Sequence, residues 1–144
     1  MRAQDSSFNV KIETRFDESI GQVNIVPQDL SRVFLNIINN GCYSANDKKK
    51  HAPTGFSPII SVSSKNLGDK FEVRIRDNGN GIPQSVIDKI FNPFFTTKPA
   101  GAGTGLGLSL SYDIVTQEHK GEIRVDTKEG EFAEFIITIP KNLA

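Results

Sequence analysis

Apolar and polar residues alternate over Phe8-Asn9-Val10-Lys11-Ile12-Glu13, the period of a strand with one buried face. Val23-Asn24-Ile25-Val26 predicts a second short strand, and Pro27 then sits where a helix begins without losing a needed hydrogen bond. In the long helix that follows, Leu30, Val33, Phe34, Ile37, Ile38 and Gly41 recur at the spacing of a core-facing stripe. The helix is predicted to end in Asn46-Asp47-Lys48-Lys49-Lys50, where cations suit the negative end of the helix dipole. A loop containing Pro53, Gly55 and Pro58 follows.

Ile59 to Ser63 and Phe71 to Arg76 both alternate, with the turn residues Asn66-Leu67-Gly68-Asp69 between them, so they predict an antiparallel hairpin ending at Asp77. Pro83 to Ile90 suits a short helix, whereas Asn92 to Gly105 is a long connection of prolines, glycines and threonines without periodicity. Leu106, Leu110, Ile114 and Val115 keep helical spacing up to Lys120, and Gly121 is placed to stop that helix. Glu122 to Asp126 and Phe132 to Ile139 alternate around the turn Lys128-Glu129-Gly130-Glu131, with Pro140 ending the second strand. Six or seven strands and three helices in this order give an α+β arrangement. Without repeat, low-complexity tract or linker, residues 1–144 read as one domain.

Composition narrows the function classes. Seventeen Lys and Arg balance seventeen Asp and Glu, so no global field draws the chain to nucleic acid or an acidic membrane. One cysteine, Cys42, makes no internal disulfide, and two histidines, His51 and His119, fall short of the usual zinc ligand sets. No apolar run reaches the roughly 18 residues of a spanning helix, and the N-terminus lacks a signal peptide's apolar stretch. A cytoplasmic segment without membrane contact is expected.

The chemistry concentrates in four places. Gly103-Thr104-Gly105-Leu106-Gly107-Leu108 leads into a helix, where backbone N–H groups could approach a phosphate; a mobile glycine-rich loop has the same composition. Its spacing fits neither the dinucleotide fingerprint, nor the P-loop, nor the protein-kinase glycine loop. Asp77-Asn78-Gly79-Asn80-Gly81-Ile82 puts a carboxylate at a strand end, where it can accept from an exocyclic amine such as adenine's or close an Asx turn. Asn36 and Asn40 share a helix face and offer amide oxygens suited to Mg²⁺, or simply face solvent. Phe91-Asn92-Pro93-Phe94-Phe95-Thr96-Thr97-Lys98 suits a hinged flap whose Lys98 meets a phosphate, although its phenylalanines also suit the core.

In this order the four segments resemble the N, G1, F and G2 boxes of the catalytic ATP-binding domain of sensor histidine kinases, within the gyrase, chaperone, kinase and mismatch-repair ATPase superfamily. The N box is Asn36 to Asn40, and the match runs through most of the chain from residue 30 onward. The resemblance implies a two-layer α/β sandwich (the Bergerat fold), a mixed, mainly antiparallel sheet packed against three helices. It implies that Asn40 holds Mg²⁺, that Asp77 reads the adenine amine, and that Gly79, Gly81 and Ile82 shape the adenine pocket. Further ATP contacts are implied for Tyr43, Phe94, Thr97, Lys98 and the backbone of Gly103, Thr104, Gly105, Leu106, Gly107 and Leu108, with Asn36, Asn40 and Lys98 as the catalytic set.

Gly41 departs from the family's usual alanine, at a cost of about 1 kcal/mol of helix stability. Neither His51, expected in a loop, nor His119, near a helix end, has the context of the family's phosphoacceptor histidine, so the acceptor must come from another domain or chain. The start without a helical hairpin reads as an excised fragment. Hydrolysing relatives carry a glutamate where Asn36 stands, and an amide is no general base, so the resemblance implies transfer of the γ-phosphoryl group to a histidine, with a response regulator downstream. A hydrolysing switch ATPase and a non-catalytic nucleotide sensor are the alternatives.

Overall fold

The structure is a computed structural model that describes residues 10–95 and 107–142. Five strands make one sheet in the order β1-β2-β3-β5-β4, namely β1 Lys11–Arg15, β2 Ile59–Asn66, β3 Lys70–Asp77, β4 Glu122–Lys128 and β5 Phe132–Pro140. The long helix α1, Pro27–His51, connects β1 to β2. A crossover of that length permits parallel pairing, and β1 runs parallel to β2. The tight turns after β2 and β4 make antiparallel hairpins, and β3 also pairs antiparallel with β5. Helix α2, Gly107–Asp113, lies between β3 and β4 in the chain and runs on as a π-helical turn, Ile114–Glu118. The result is the expected α+β sandwich with a mixed, mainly antiparallel sheet.

The alternation read from the sequence sets the core. Phe71, Val73 and Ile75 of β3 and Ala133, Phe135, Ile137 and Ile139 of β5 are buried on one face of the sheet. Against them lies the α1 stripe of Leu30, Val33, Ile37, Gly41 and Ala45, with Phe34 and Ile38 half-buried beside it. On the opposite face, Ile136 is buried in register with Arg74 and Arg124, whose aliphatic stems can cover it.

Several expectations need correction. Val23 to Val26 forms a single bridge, Asn24 with Asn142, because Pro27 turns the chain into α1 before a second rung can form. The first strand runs to Arg15, while Phe8 and Asn9 lie outside the described residues. From Pro83 to Ile90 there is only a 3₁₀ turn, Gln84–Val86, so the described residues contain two helices of α-type; eight residues are too few to sustain a helix without packing on both sides. His51 closes α1 and is not in a loop.

In α2 the buried face runs through Ser111 and the pair Ile114 and Val115, with Leu108 packed beside it, so Leu110 points away and is 47% exposed. Ser111, a small residue, occupies the inner side because α2 lies close to α1 there, as the Asn36 bonds described below show.

Ile137→Ala, at a fully buried position of β5, is expected to lower the unfolding free energy by about 2–5 kcal/mol in urea titrations. Thr138→Ala, on the opposite face of the same strand, is expected to cost less than about 1 kcal/mol. Equal losses would contradict this assignment of the two faces.

Candidate nucleotide-binding site

Asp77 is the fourth residue of the alternating series Phe71, Val73, Ile75, Asp77, so the pleat that buries three hydrophobes also turns its carboxylate toward the helices. Its sheet neighbours, Ile60 on β2 and Ala133 on β5, are apolar and buried, and Asp77 is only 6% exposed. Burial therefore pushes its carboxyl up to about 6 from the ordinary 3.8, against a bond from the Gly79 N–H and the charges of Arg76 and Lys48, which pull it down. The Gly79 N–H donates to Oδ1 at 2.8 Å, which is the Asx turn the sequence allowed. A carboxylate has lone pairs on both oxygens, so this bond leaves acceptor capacity for an amine. Gly41 is the α1 residue that lies against it: a Cβ there would fall 3.1 Å from Asp77 Cβ and 2.9 Å from Ile60 Cδ1.

The loop after Asp77 is fastened on both sides. Asn78 caps the neighbouring strand, accepting the Ile59 N–H at 2.8 Å and donating to Ser57 O at 2.9 Å. Asn80 N–H donates to Ser44 Oγ at 2.9 Å and its amide nitrogen to Asp47 Oδ2 at 3.0 Å, so the C-terminal half of α1 holds the loop. A Cβ on Gly79 would meet the α1 backbone at Ser44 C and Ala45 N, 2.7 and 2.8 Å away, so close approach requires glycine there. From the other side comes the β4–β5 turn: Gly130 N–H donates to Asn80 O at 2.6 Å, and Ile82 N–H to Thr127 Oγ1 at 2.9 Å. Gly81, with φ of 69°, passes over the Lys128 and Glu129 backbone.

Lys48 also serves this loop. Its ammonium donates to Gly130 O at 2.8 Å and lies 4.9 Å from the centroid of the Phe56 ring, contacts a helix-end cation need not make. Ser44, Asp47 and Thr127 are the residues that sequence reasoning missed. Their only visible signal was polarity on a helix face and next to a turn, which is the commonest pattern on any surface.

On the first half of α1, the Asn36 amide nitrogen donates to Gly107 O at 3.3 Å and to Ser111 Oγ at 3.4 Å, while Ser111 Oγ donates to the same carbonyl at 2.9 Å. Asn36 thus ties α1 to the first turn of α2, where Gly107 and Leu108 lie. Asn40 is half-buried one turn further along α1, and Tyr43 half-buried beyond it. Gly107 and Asp77 are brought to the two ends of this one stretch of α1, opposite Asn36 and Gly41.

Among the phenylalanines, Phe91 belongs to the core, with its ring 6.3 Å from that of Phe135 and 5.2 Å from that of Tyr112. Phe95 is half-buried against the core. Phe94 is 72% exposed with φ of 67°, and does not join Asp77. Thr97, Lys98, Gly103, Thr104, Gly105 and Leu106 lie outside the described residues.

The thiol of Cys42, half-buried on α1, is pushed up by burial and then by the charge of Asp77, so it offers no thiolate nucleophile. No cluster of three or more His, Cys, Asp or Glu that could hold a metal occurs among the described residues. Nor is any helix of the described residues long and apolar enough to cross a membrane.

Residues 25–143 match the family described as histidine kinase-, DNA gyrase B- and HSP90-like ATPase. The sensor protein kinase WalK of Staphylococcus saprophyticus is 35% identical over 97% of this chain, and sporulation kinase C of Bacillus subtilis 31% identical over 92%. The chain spans only 22% and 28% of the lengths of these two relatives. Among solved structures, the catalytic domain of the histidine kinase ThkA superposes with a TM-score of 0.77 at 30% identity, covering 94% of this chain and 82% of that one. ThkA in complex with the response regulator TrrA superposes at 0.72, with 27% identity, over 94% of this chain and 35% of that one. With the family match covering most of its length and a buried carboxylate facing the glycine of the long helix, the chain belongs to the histidine kinase-, DNA gyrase B- and HSP90-like ATPase family, as an ATP-binding domain of the histidine kinase type.

Proposed function

We propose that this chain binds Mg²⁺-ATP between α1 and the start of α2 and transfers the γ-phosphoryl group to a histidine on a separate phosphoacceptor and dimerisation domain, in the cytoplasm, with a response regulator as the next acceptor. The observation that carries this reading is Asp77, an ionisable side chain in an otherwise apolar stretch of core, with one oxygen anchored and acceptor capacity left over. Burying a carboxylate is costly, and a ligand amine that hydrogen-bonds to it recovers part of that cost. Gly79, Gly81 and Ile82 form the pocket wall, held by Ser44, Asp47 and Thr127.

The donor set suits Mg²⁺. Asn40 contributes a hard amide oxygen on α1, and the ion's remaining ligands would be phosphate and water oxygens. When bound, the ion supplies charge neutralisation on the transferring phosphates. Tyr43, Gly107 and Leu108 line the phosphate end in this reading. Phe94, Thr97, Lys98 and Gly103 to Leu106 remain assigned to ATP contacts by resemblance.

Asn36 decides between transfer and hydrolysis. Its amide has no basic lone pair at neutral pH and is turned to Gly107 and Ser111, so it cannot take a proton from water and instead holds the helix start that borders the phosphates. An imidazole brings its own nucleophilic nitrogen, which attacks the γ-phosphorus as the bond to the departing ADP oxygen breaks. Neither histidine of this chain suits that role. His119 is fully buried and His51 is bound into the α1 terminus, its Nδ1 3.1 Å from Asp47 O. The partner that ThkA meets in its complex, a response regulator, supports the expected downstream acceptor.

With labelled ATP, the chain is expected to label a purified phosphoacceptor hairpin on its histidine while showing little hydrolysis alone. Brisk hydrolysis unaffected by Asn36→Asp, or no label on the acceptor, would contradict this reading.

Asp77→Asn replaces an acceptor oxygen by a donor facing an amine, and calorimetry is expected to show ATP affinity about 10- to 100-fold weaker. Because the folded-state pKa of Asp77 is raised, the stability it contributes is fully present below 3.8 and is lost as pH rises through about 6. At pH 7 the Asn variant is therefore expected to melt no lower than wild type, and only wild type should lose ATP affinity through protonation of residue 77 near pH 6. Equal affinity of the two proteins would remove Asp77 from the pocket.

A further inference from the structure

The buried His119 is not used by the nucleotide reading. It is 0% exposed, and both ring nitrogens are engaged: Val26 N–H donates to Nε2 at 3.1 Å, and Nδ1 lies 2.9 Å from Ile114 O. One neutral tautomer satisfies both partners, with the proton on Nδ1. Ile114 O also accepts the His119 backbone N–H at 3.1 Å, the bond that closes the π-helical turn. π-turns are rare in helices and are frequent at functional sites. Here the turn delivers an imidazole to Val26, the residue immediately before α1, which has no side-chain cap of its own.

Val26 meets His119, and ten residues on Asn36 meets Gly107 and Ser111. The first half of α1 and the segment from α2 through the π-turn therefore run antiparallel and are clasped at both ends. One clasp, Asn36, lies at the proposed phosphate end. The other, remote from it, is made by His119, with Glu118 and Asp29 sharing a side-chain hydrogen bond alongside.

We propose that His119 is a positioning residue for nucleotide binding: its imidazole fixes how the start of α1 sits against the end of α2, and so holds the spacing between Asn40 and the glycine-lined helix start at the other end. This rests on the nucleotide-binding reading above. Relaxing the remote clasp lets the two helices shift relative to one another, and a ligand held between them loses contacts to one or the other.

The test is calorimetric titration of the full chain with a magnesium-bound non-hydrolysable ATP analogue, in wild type, His119→Gln and His119→Leu, with melting curves alongside. Gln can accept from Val26 and donate to Ile114, and is expected to bind within about threefold of wild type; Leu keeps the bulk without the bonds, and is expected to bind about tenfold or more weakly while still folded at the assay temperature. A folded Leu variant with wild-type affinity would overturn the proposal. Should the Leu variant not fold, His119→Asn carries the same test: its shorter amide cannot span both Val26 and Ile114, and it is expected to bind about tenfold more weakly than His119→Gln. A folded Asn variant that binds as tightly as His119→Gln would overturn the proposal. Failure of wild type itself to bind the analogue would instead bring down the nucleotide reading, and this inference with it.

Discussion

A carboxylate on the buried face of a sheet is the constraint around which the rest of this structure is arranged. Asp77 follows Phe71, Val73 and Ile75 on the core side of β3, between Ile60 and Ala133. A polar group there must be anchored, and the anchor is the next turn's own backbone, through the Gly79 N–H. That turn must then press against α1, which allows no side chain at Gly79, and be held from above by the β4–β5 hairpin through Gly130 and Thr127. Each feature follows from the one before it. Burial pushes the carboxyl up because the Gly79 N–H and the charges of Arg76 and Lys48 offset only part of the desolvation.

The long helix α1 is the common wall. Its inner stripe makes the core, its C-terminal half holds the loop after Asp77 through Ser44, Asp47 and Lys48, and its N-terminal half is braced against α2 and the π-turn by Asn36 and His119. The proposed chemistry consequently asks for no nucleophile or base from this chain. Asn36 cannot serve as one and the Cys42 thiol is held neutral, which leaves positioning and charge neutralisation, the means by which phosphoryl transfer is accelerated.

The elements with strong periodicity were legible in advance. The α1 stripe, the β2–β3 hairpin with Asp77 at its end, and the β4–β5 hairpin all stand where the alternation put them, because each buries one face and a register slip would expose it. Where tertiary contacts decide, the pattern misled. Leu110 keeps helical spacing yet faces outward, since α2 turns Ser111 to α1; Val23 to Val26 alternates yet manages one bridge before Pro27. In the G1 box, Gly79 leaves room for the backbone of α1, a close approach that its sequence neighbours do not announce. The residues that hold the loop were invisible, since the roles of Ser44, Asp47 and Thr127 depend on partners 36, 33 and 45 positions away.

The central claim is that a nucleotide occupies the crevice bounded by Asp77, α1 and the start of α2. A crystal structure of the chain with a non-hydrolysable ATP analogue and magnesium tests it most directly. The account predicts the base amine on the Asp77 carboxylate, the metal on Asn40 and the phosphates beside Gly107. A base seated elsewhere, or a crevice filled by the protein's own side chains at saturating analogue, would contradict it.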